Sequence, residues 1–176
     1  MSKKITVWLL VLSMFCLLAG CQGKEEETRE YINKGNTFSV TVPGEWKITE
    51  TDNEDHLVLD NEDQSLSILI QRFPQEGLEE EDGSGLEDFM AAYKSQVIPD
   101  LAAAGSESDG DAQREGMKQA REEEYKMTQS GQVFKAYILY VESDVAYYSV
   151  AVTGTGESYD PDIDKLKTAV KTLKEL

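Results

Sequence analysis

Three strand patterns in immediate succession, between Arg121 and Thr153, constrain this chain more than any other feature. Arg121 to Thr128 turns at Ser130-Gly131 into Gln132 to Val141, which turns near Ser143-Asp144 into Val145 to Thr153. Counting across the second loop sets Val141 opposite Ala146, Leu139 opposite Tyr148 and Tyr140 opposite Tyr147. Tyr137, Leu139, Val141, Tyr148, Val150 and Val152 then fill one face, while Ile138, Tyr140 and Tyr147 occupy the other. A sheet with one wet face alternates apolar with polar residues. Here both faces are apolar, so the meander is expected to be central and covered on both sides.

The flanking segments supply the rest of a sheet and its cover. Thr37 to Val42 alternates, with Phe38, Val40 and Val42 on one face, and Pro43-Gly44 ends it. Trp46 and Ile48 continue at the same period and predict a short strand beside the first. His56 to Asp60 and Ser65 to Phe73 are the next strands, with Leu66, Ile68 and Ile70 facing one way and Leu69 and Phe73 the other. Leu86, Phe89, Met90, Tyr93, Val97 and Ile98 recur at helical spacing, with Pro99 disturbing the last turn. Gly105 to Gly116 has no apolar period and reads as a surface connection. In the last element Asp160 is placed as N-cap and Pro161 as the first helical residue, with Ile163, Leu166, Val170 and Leu173 as the buried stripe. This order predicts an α+β fold in which helices pack on and flank an antiparallel sheet.

The opening Phe38-Ser39-Val40-Thr41-Val42-Pro43-Gly44-Glu45-Trp46, the later Arg72-Phe73-Pro74, the helix, the meander and the final helix resemble the PsbP-like and DcrB-like superfamily. The resemblance covers most of the chain from Tyr31 onward. It implies an α/β/α sandwich that serves as a binding or assembly module, with no common catalytic residues to carry over.

Ahead of this domain, Lys3 and Lys4 lead into an apolar run, Ile5 to Leu18, that closes on Ala19-Gly20-Cys21. The run is shorter than the roughly 20 apolar residues that cross a bilayer. Leu18-Ala19-Gly20-Cys21 resembles the lipobox of a bacterial lipoprotein signal. That resemblance implies cleavage after residue 20, lipid attachment at the Cys21 sulfur with palmitate among its acyl chains, and residence at the extracytoplasmic face of the cell membrane. The chain then divides into a signal peptide over residues 1–20, a flexible tether over 21–30, and a single domain over 31–176. Cys16 leaves with the signal and Cys21 is alkylated, so no disulfide is expected. Loss of Lys3 and Lys4 takes the basic count from 17 to 15 against 34 acids, and the net charge from -17 to -19. That excess argues against nucleic acid or anionic lipid surfaces as partners.

Residues that carry chemistry are few. His56 is the lone histidine and reads as a partly exposed side chain rather than a general base. With the mature cysteine acylated, a cysteine nucleophile and a multi-histidine metal site are set aside. The expected catalytic residues, cofactors and metal ligands are therefore none. Asp52 to Asp63, Glu79 to Asp82 and Asp109-Gly110-Asp111 offer oxygen donors that suit calcium, but none has EF-hand spacing. Solvated acidic loops are the plainer reading. Trp46 is expected as a core anchor, and Tyr140 with Tyr147 forms a binding patch only if no helix covers that side. The functional expectation is a membrane-anchored, non-catalytic binding or assembly module for an envelope protein partner. The alternative is a small-ligand or calcium-binding lipoprotein.

Overall fold

The computed structural model describes residues 27–49, 51–76, 85–112 and 116–176. The signal peptide, Cys21 and Glu79 to Asp82 lie outside the described residues.

The meander forms as β7 (Gln119–Gln129), β8 (Gln132–Glu142) and β9 (Ala146–Thr155). Ser130 and Gly131 both hold positive φ, 53° and 82°, as a two-residue turn that follows the strand twist demands. The second loop closes differently from expectation. Val141 faces Tyr148, Leu139 faces Val150 and Tyr140 faces Ser149. Ser143 sets this register: its N–H donates to the Ala146 carbonyl at 2.9 Å, and its Oγ accepts the Ala146 N–H at 3.0 Å, so pairing starts at Glu142 and Tyr147. The displacement moves opposing partners by two residues, which leaves each side chain on its expected face.

The meander lies inside a seven-stranded sheet in the order β3-β4-β5-β9-β8-β7-β6, antiparallel throughout. Its other members are β3 (Lys47–Thr49), β4 (His56–Asp60), β5 (Leu66–Pro74) and β6 (Ser106–Asp111). A second sheet in the order β1-β2-β10 joins β1 (Thr28–Ile32), β2 (Phe38–Pro43) and β10 (Lys174–Glu175). Three helices complete the described residues: α1 (Leu86–Gln96), α2 (Pro99–Ala104) and α3 (Gly156–Val170). The fold is α+β and built mainly of antiparallel strands.

Cover on both faces of the meander is present. One cluster gathers Phe38, Val40, Leu59, Ile68, Tyr137, Leu139, Tyr148 and Val150 with Tyr159, Leu166 and Val170 of α3. The other gathers Ile138, Tyr140 and Tyr147 with Leu86, Met90 and Tyr93 of α1.

Several sequence expectations need correction. Ser106–Asp111, read as a surface connection, is edge strand β6, paired to β7. Thr28 to Glu30, assigned to the tether, belong to β1, paired with β2 from Thr28 opposite Pro43 to Ile32 opposite Ser39. Both strands are held by main-chain bonds while nearly all their side chains stay in water, so no apolar period marks them. The strand expected beside β2 starts at Lys47, after Trp46, and pairs with β4 in the other sheet. Pro99 does more than disturb the first helix: α1 stops at Gln96, and Pro99 opens α2 at a position where a missing N–H is tolerated. Helix α3 begins at Gly156 with Thr155 before it, and Pro161 lies inside it, because Tyr159, 3% exposed, draws the preceding turn onto the core.

Candidate functional site

The strands of the meander and the helix that covers them differ in length, and that difference makes a site. Helix α1 has 11 residues, about 16 Å at 1.5 Å per residue. Strand β8 also has 11 residues, but extends about 36 Å at roughly 3.3 Å each. The helix therefore covers one end of the sheet face and leaves the other end open. Cross-strand rows floor the open end: Ser67, Thr153 and Ala136 on β5, β9 and β8, then Thr155, Phe134 and Met127 on β9, β8 and β7. The α1–α2 junction, with Val97, Ile98, Pro99 and Leu101, forms the wall. The groove has a volume of about 490 Å³, within the range of roughly 300–1,000 Å³ common for small-molecule sites. Thr153 is exposed although it lies on a central strand, and Val97 is 45% exposed.

Charged side chains bordering the groove are Asp100 and Lys135. Lys135 reaches through to the opposite side, where its Nζ donates to Asp160 of α3 at 2.5 Å. The rest of the lining is hydrocarbon with uncharged polar groups: the side-chain amides of Gln64 and Gln129 and the hydroxyls of Ser65, Ser67, Thr153 and Thr155.

Titratable groups beneath the helices are committed to holding the fold. Glu123 of β7, 5% exposed, accepts from Lys94 Nζ of α1 at 2.6 Å and from the Tyr125 hydroxyl, which fastens the helix to the sheet. Tyr93 of α1 donates to Gln71 Oε1 at 2.9 Å. Burial, followed by the charges of its surroundings, pushes the Tyr140 phenol far above its ordinary value. On the other face Lys171 Nζ lies 2.7 Å from Glu122, and the Tyr137 hydroxyl donates to the same carboxylate at 2.7 Å. Burial alone would raise the Glu122 carboxyl, but the bonds from Lys171 and Tyr137 outweigh it and hold it below the usual carboxylate range.

The residues singled out from sequence fall away from the groove. His56 Nε2 lies 3.1 Å from Asn53 Nδ2 and 3.3 Å from Gln71 Nε2, between two side-chain amides and, among the described residues, without a serine or carboxylate bonded to it. Trp46 is half-buried against the core, and its indole N–H donates to the Pro43 carbonyl at 3.0 Å. Tyr140 and Tyr147 are 0% and 7% exposed. Helix α1 covers them, so they form no open patch. Asp109 and Asp111 on β6 flank the Arg121 guanidinium, at 3.6 and 3.1 Å. Among the described residues no group of three or more histidine, cysteine or carboxylate side chains is arranged to hold a metal ion.

Sequence reasoning missed the groove. Its apolar members, Val97, Ile98, Met127 and Phe134, come from separate elements whose ends meet only in three dimensions. The available signal was the apolar Val97-Ile98 pair running past the end of a helix into Pro99.

Fold and site together define an α+β chain with an open apolar groove at one end of a two-sided sheet. No family model matches the sequence, and no curated protein matches it. Solved structures do. A crystal structure from Bacteroides thetaiotaomicron VPI-5482 is similar at a TM-score of 0.57 and 13% identity, over 84% of this chain and 48% of that one. The chain thus spans about half the length of that protein, and the likeness is one of fold. Looser similarities are to LpqN of Mycobacterium tuberculosis, described as involved in cell envelope biogenesis, and to cyanobacterial PsbP of Synechocystis sp. PCC 6803. LpqN has a TM-score of 0.49 and 9% identity, over 88% of this chain and 87% of its own. The PsbP has a TM-score of 0.42 and 13% identity, over 91% and 99%. Among the described residues no helix is long and apolar enough to cross a membrane.

Proposed function

We propose that this chain is an extracytoplasmic lipoprotein, held to the cell membrane by a lipid on Cys21, that works by binding rather than by catalysis. In this reading its domain is an α/β/α sandwich of the PsbP-like and DcrB-like kind, with α3 and the α1–α2 pair on opposite faces. The observation that carries the binding reading is the open groove, which has apolar walls and neutral hydroxyls where an enzyme would gather a nucleophile, a base and an oxyanion donor. Exposed apolar surface of this kind marks contact with something else. The partner proposed is another protein of the envelope, docking where Val97 and its neighbours stand out of the surface.

A second reading, capture of a small apolar ligand, is favoured by the concavity of the groove. Crosslinking in intact cells, affinity capture and mass spectrometry tests the first, with an unrelated lipoprotein as control. A reproducible envelope protein, lost on Val97→Asp, is the expected result. Capture no different from the control removes the protein-partner reading.

A further inference from the structure

We infer that the groove is an acyl-chain site, which takes a single hydrocarbon chain from a neutral lipid of the membrane on which the protein sits. The inference rests on the tether and on the second, small-ligand reading of the groove proposed above, and names the class of that ligand.

Position is the first argument. Strand β1 starts at Thr28 opposite Pro43, and the Gly44 N–H donates to the Glu27 carbonyl at 2.9 Å. Pro43, Gly44 and Trp46 share a hollow with Leu66. Leu66 pairs with Gly154, and Gly154 with its neighbour Thr155 borders the groove. The chain therefore enters the fold at the same end of the sheet as the groove, on the α3 side, across the sheet from the face that the groove occupies. Five residues separate Cys21 from Glu27, six steps along the backbone. Even fully extended they reach about 20 Å, so an anchored domain stays with this end close to the lipid surface.

Chemistry is the second. The walls are aliphatic, thioether and aromatic side chains, and the polar lining is uncharged apart from Asp100 and Lys135, with hydroxyls and the Gln64 and Gln129 amides, which suit a hydrocarbon chain ending in an uncharged ester or glycerol group. Asp100 at the rim and the net charge of -19 left after removal of Lys3 and Lys4 (15 basic against 34 acidic residues) both oppose an anionic head group. A concavity of about 490 Å³ on a central strand, with Thr153 exposed in its floor, accepts a chain end-on. A flat protein epitope would leave that floor unfilled.

The test uses the full lipidated protein in phosphatidylcholine vesicles that contain a monoacylglycerol bearing a photoreactive diazirine near the chain terminus. After illumination, label is mapped by peptide mass spectrometry. The expected label falls on peptides carrying Val97 to Leu101 and Met127 to Phe134. It should drop at least about tenfold in Thr153→Trp, which fills the groove, and in Val97→Asp, which charges its wall. Label on the tether peptide should stay unchanged in both. Label spread over the surface by exposure alone, or undiminished in both variants, overturns the site. So does protein crosslinking at the groove without acyl label. Near-UV circular dichroism reports folding, and because Val97 is already exposed, its variant decides the matter should Thr153→Trp unfold. Flotation of the same vesicles reports the anchor separately. If the protein does not float, the tether reading fails. The probe is then dispersed with the protein without vesicles, where groove label sustains the acyl site and its absence overturns it.

Discussion

Phe89 lies flat on Tyr147, with ring centroids 5.0 Å apart and 11° between the planes. This stack, with Tyr93 edge-on to Tyr140 at 5.7 Å, seats α1 on the sheet and fixes where the helix layer ends. Phe89 is half-buried, so Phe89→Ala should cost about 2–3 kcal/mol, below the range for a fully buried phenylalanine. Urea unfolding should show a lower midpoint with an unchanged slope.

Two tyrosines near α3 should respond in opposite ways to loss of the hydroxyl. Tyr137 donates to Glu122, a carboxylate, so Tyr137→Phe should destabilise by about 1–2 kcal/mol. The Tyr159 hydroxyl is buried and has no hydrogen-bond partner among the described residues. Tyr159→Phe should therefore leave stability unchanged or raise it by up to about 1 kcal/mol. Chemical denaturation of the two variants side by side checks both.

Acid should weaken the domain partly through Glu122. Its carboxyl is held below the usual range in the folded state, so its contribution is fully present above the unfolded value of about 4.3 and is lost as pH falls through the lower folded value. Glu30, hydrogen-bonded by Lys174, and Asp63, hydrogen-bonded by Ser65, are shifted in the same direction but are fully exposed. In Glu122→Gln, stability at neutral pH should be lower and its fall from about pH 5 to about pH 3 shallower than in the wild type. Parallel curves for the two proteins would show that Glu122 does not carry this dependence.

Gly154 sits where a side chain has no room. A Cβ there would lie 2.6 Å from Leu66 Cδ2 and 2.9 Å from the Ser65 carbonyl oxygen. Gly154→Ala should cost about 1–3 kcal/mol as β5 and β9 move apart. Gly110 on edge strand β6 has open space around it, so Gly110→Ala should melt within a degree or two of wild type and serves as the control.

The anchor has its own test. Cys21→Ala should leave an uncleaved precursor that incorporates no labelled palmitate, seen as a larger band on an immunoblot. A mature-sized band in that variant removes the lipobox reading.

Much of the fold was legible because strands buried on one or both faces write their period into the sequence. Phe38, Val40 and Val42, then Leu66, Ile68 and Ile70, then the meander, all lie on the faces their alternation predicted. Strands β1 and β6 were not legible, since Thr28 to Glu30 and Ser106 to Asp109 pair through main chain and expose their side chains. The meander register depended on one serine, Ser143, whose bonds to Ala146 no count of loop residues includes. The start of α3 followed the burial of Tyr159 rather than the capping pattern at Asp160-Pro161. The candidate site was the least legible part. A groove is the space left where α1 ends above β8, and it depends on relative lengths and positions that alternation within single elements does not encode.

Strand β2 lies between two strands far apart in sequence: β1 on one side, β10 on the other. Thr172 reinforces the closure by donating to the Thr41 carbonyl at 3.1 Å, and Lys174 reaches Glu30 at 2.8 Å. The small sheet is thus completed only when Lys174 and Glu175 pair with Ser39 and Phe38. Until then a growing chain holds Tyr137, Leu139 and Val150 of the large sheet without their α3 cover. Closure of this sheet is therefore governed by contacts between segments far apart in sequence, and such a fold is slow to close and most prone to self-association just before it does.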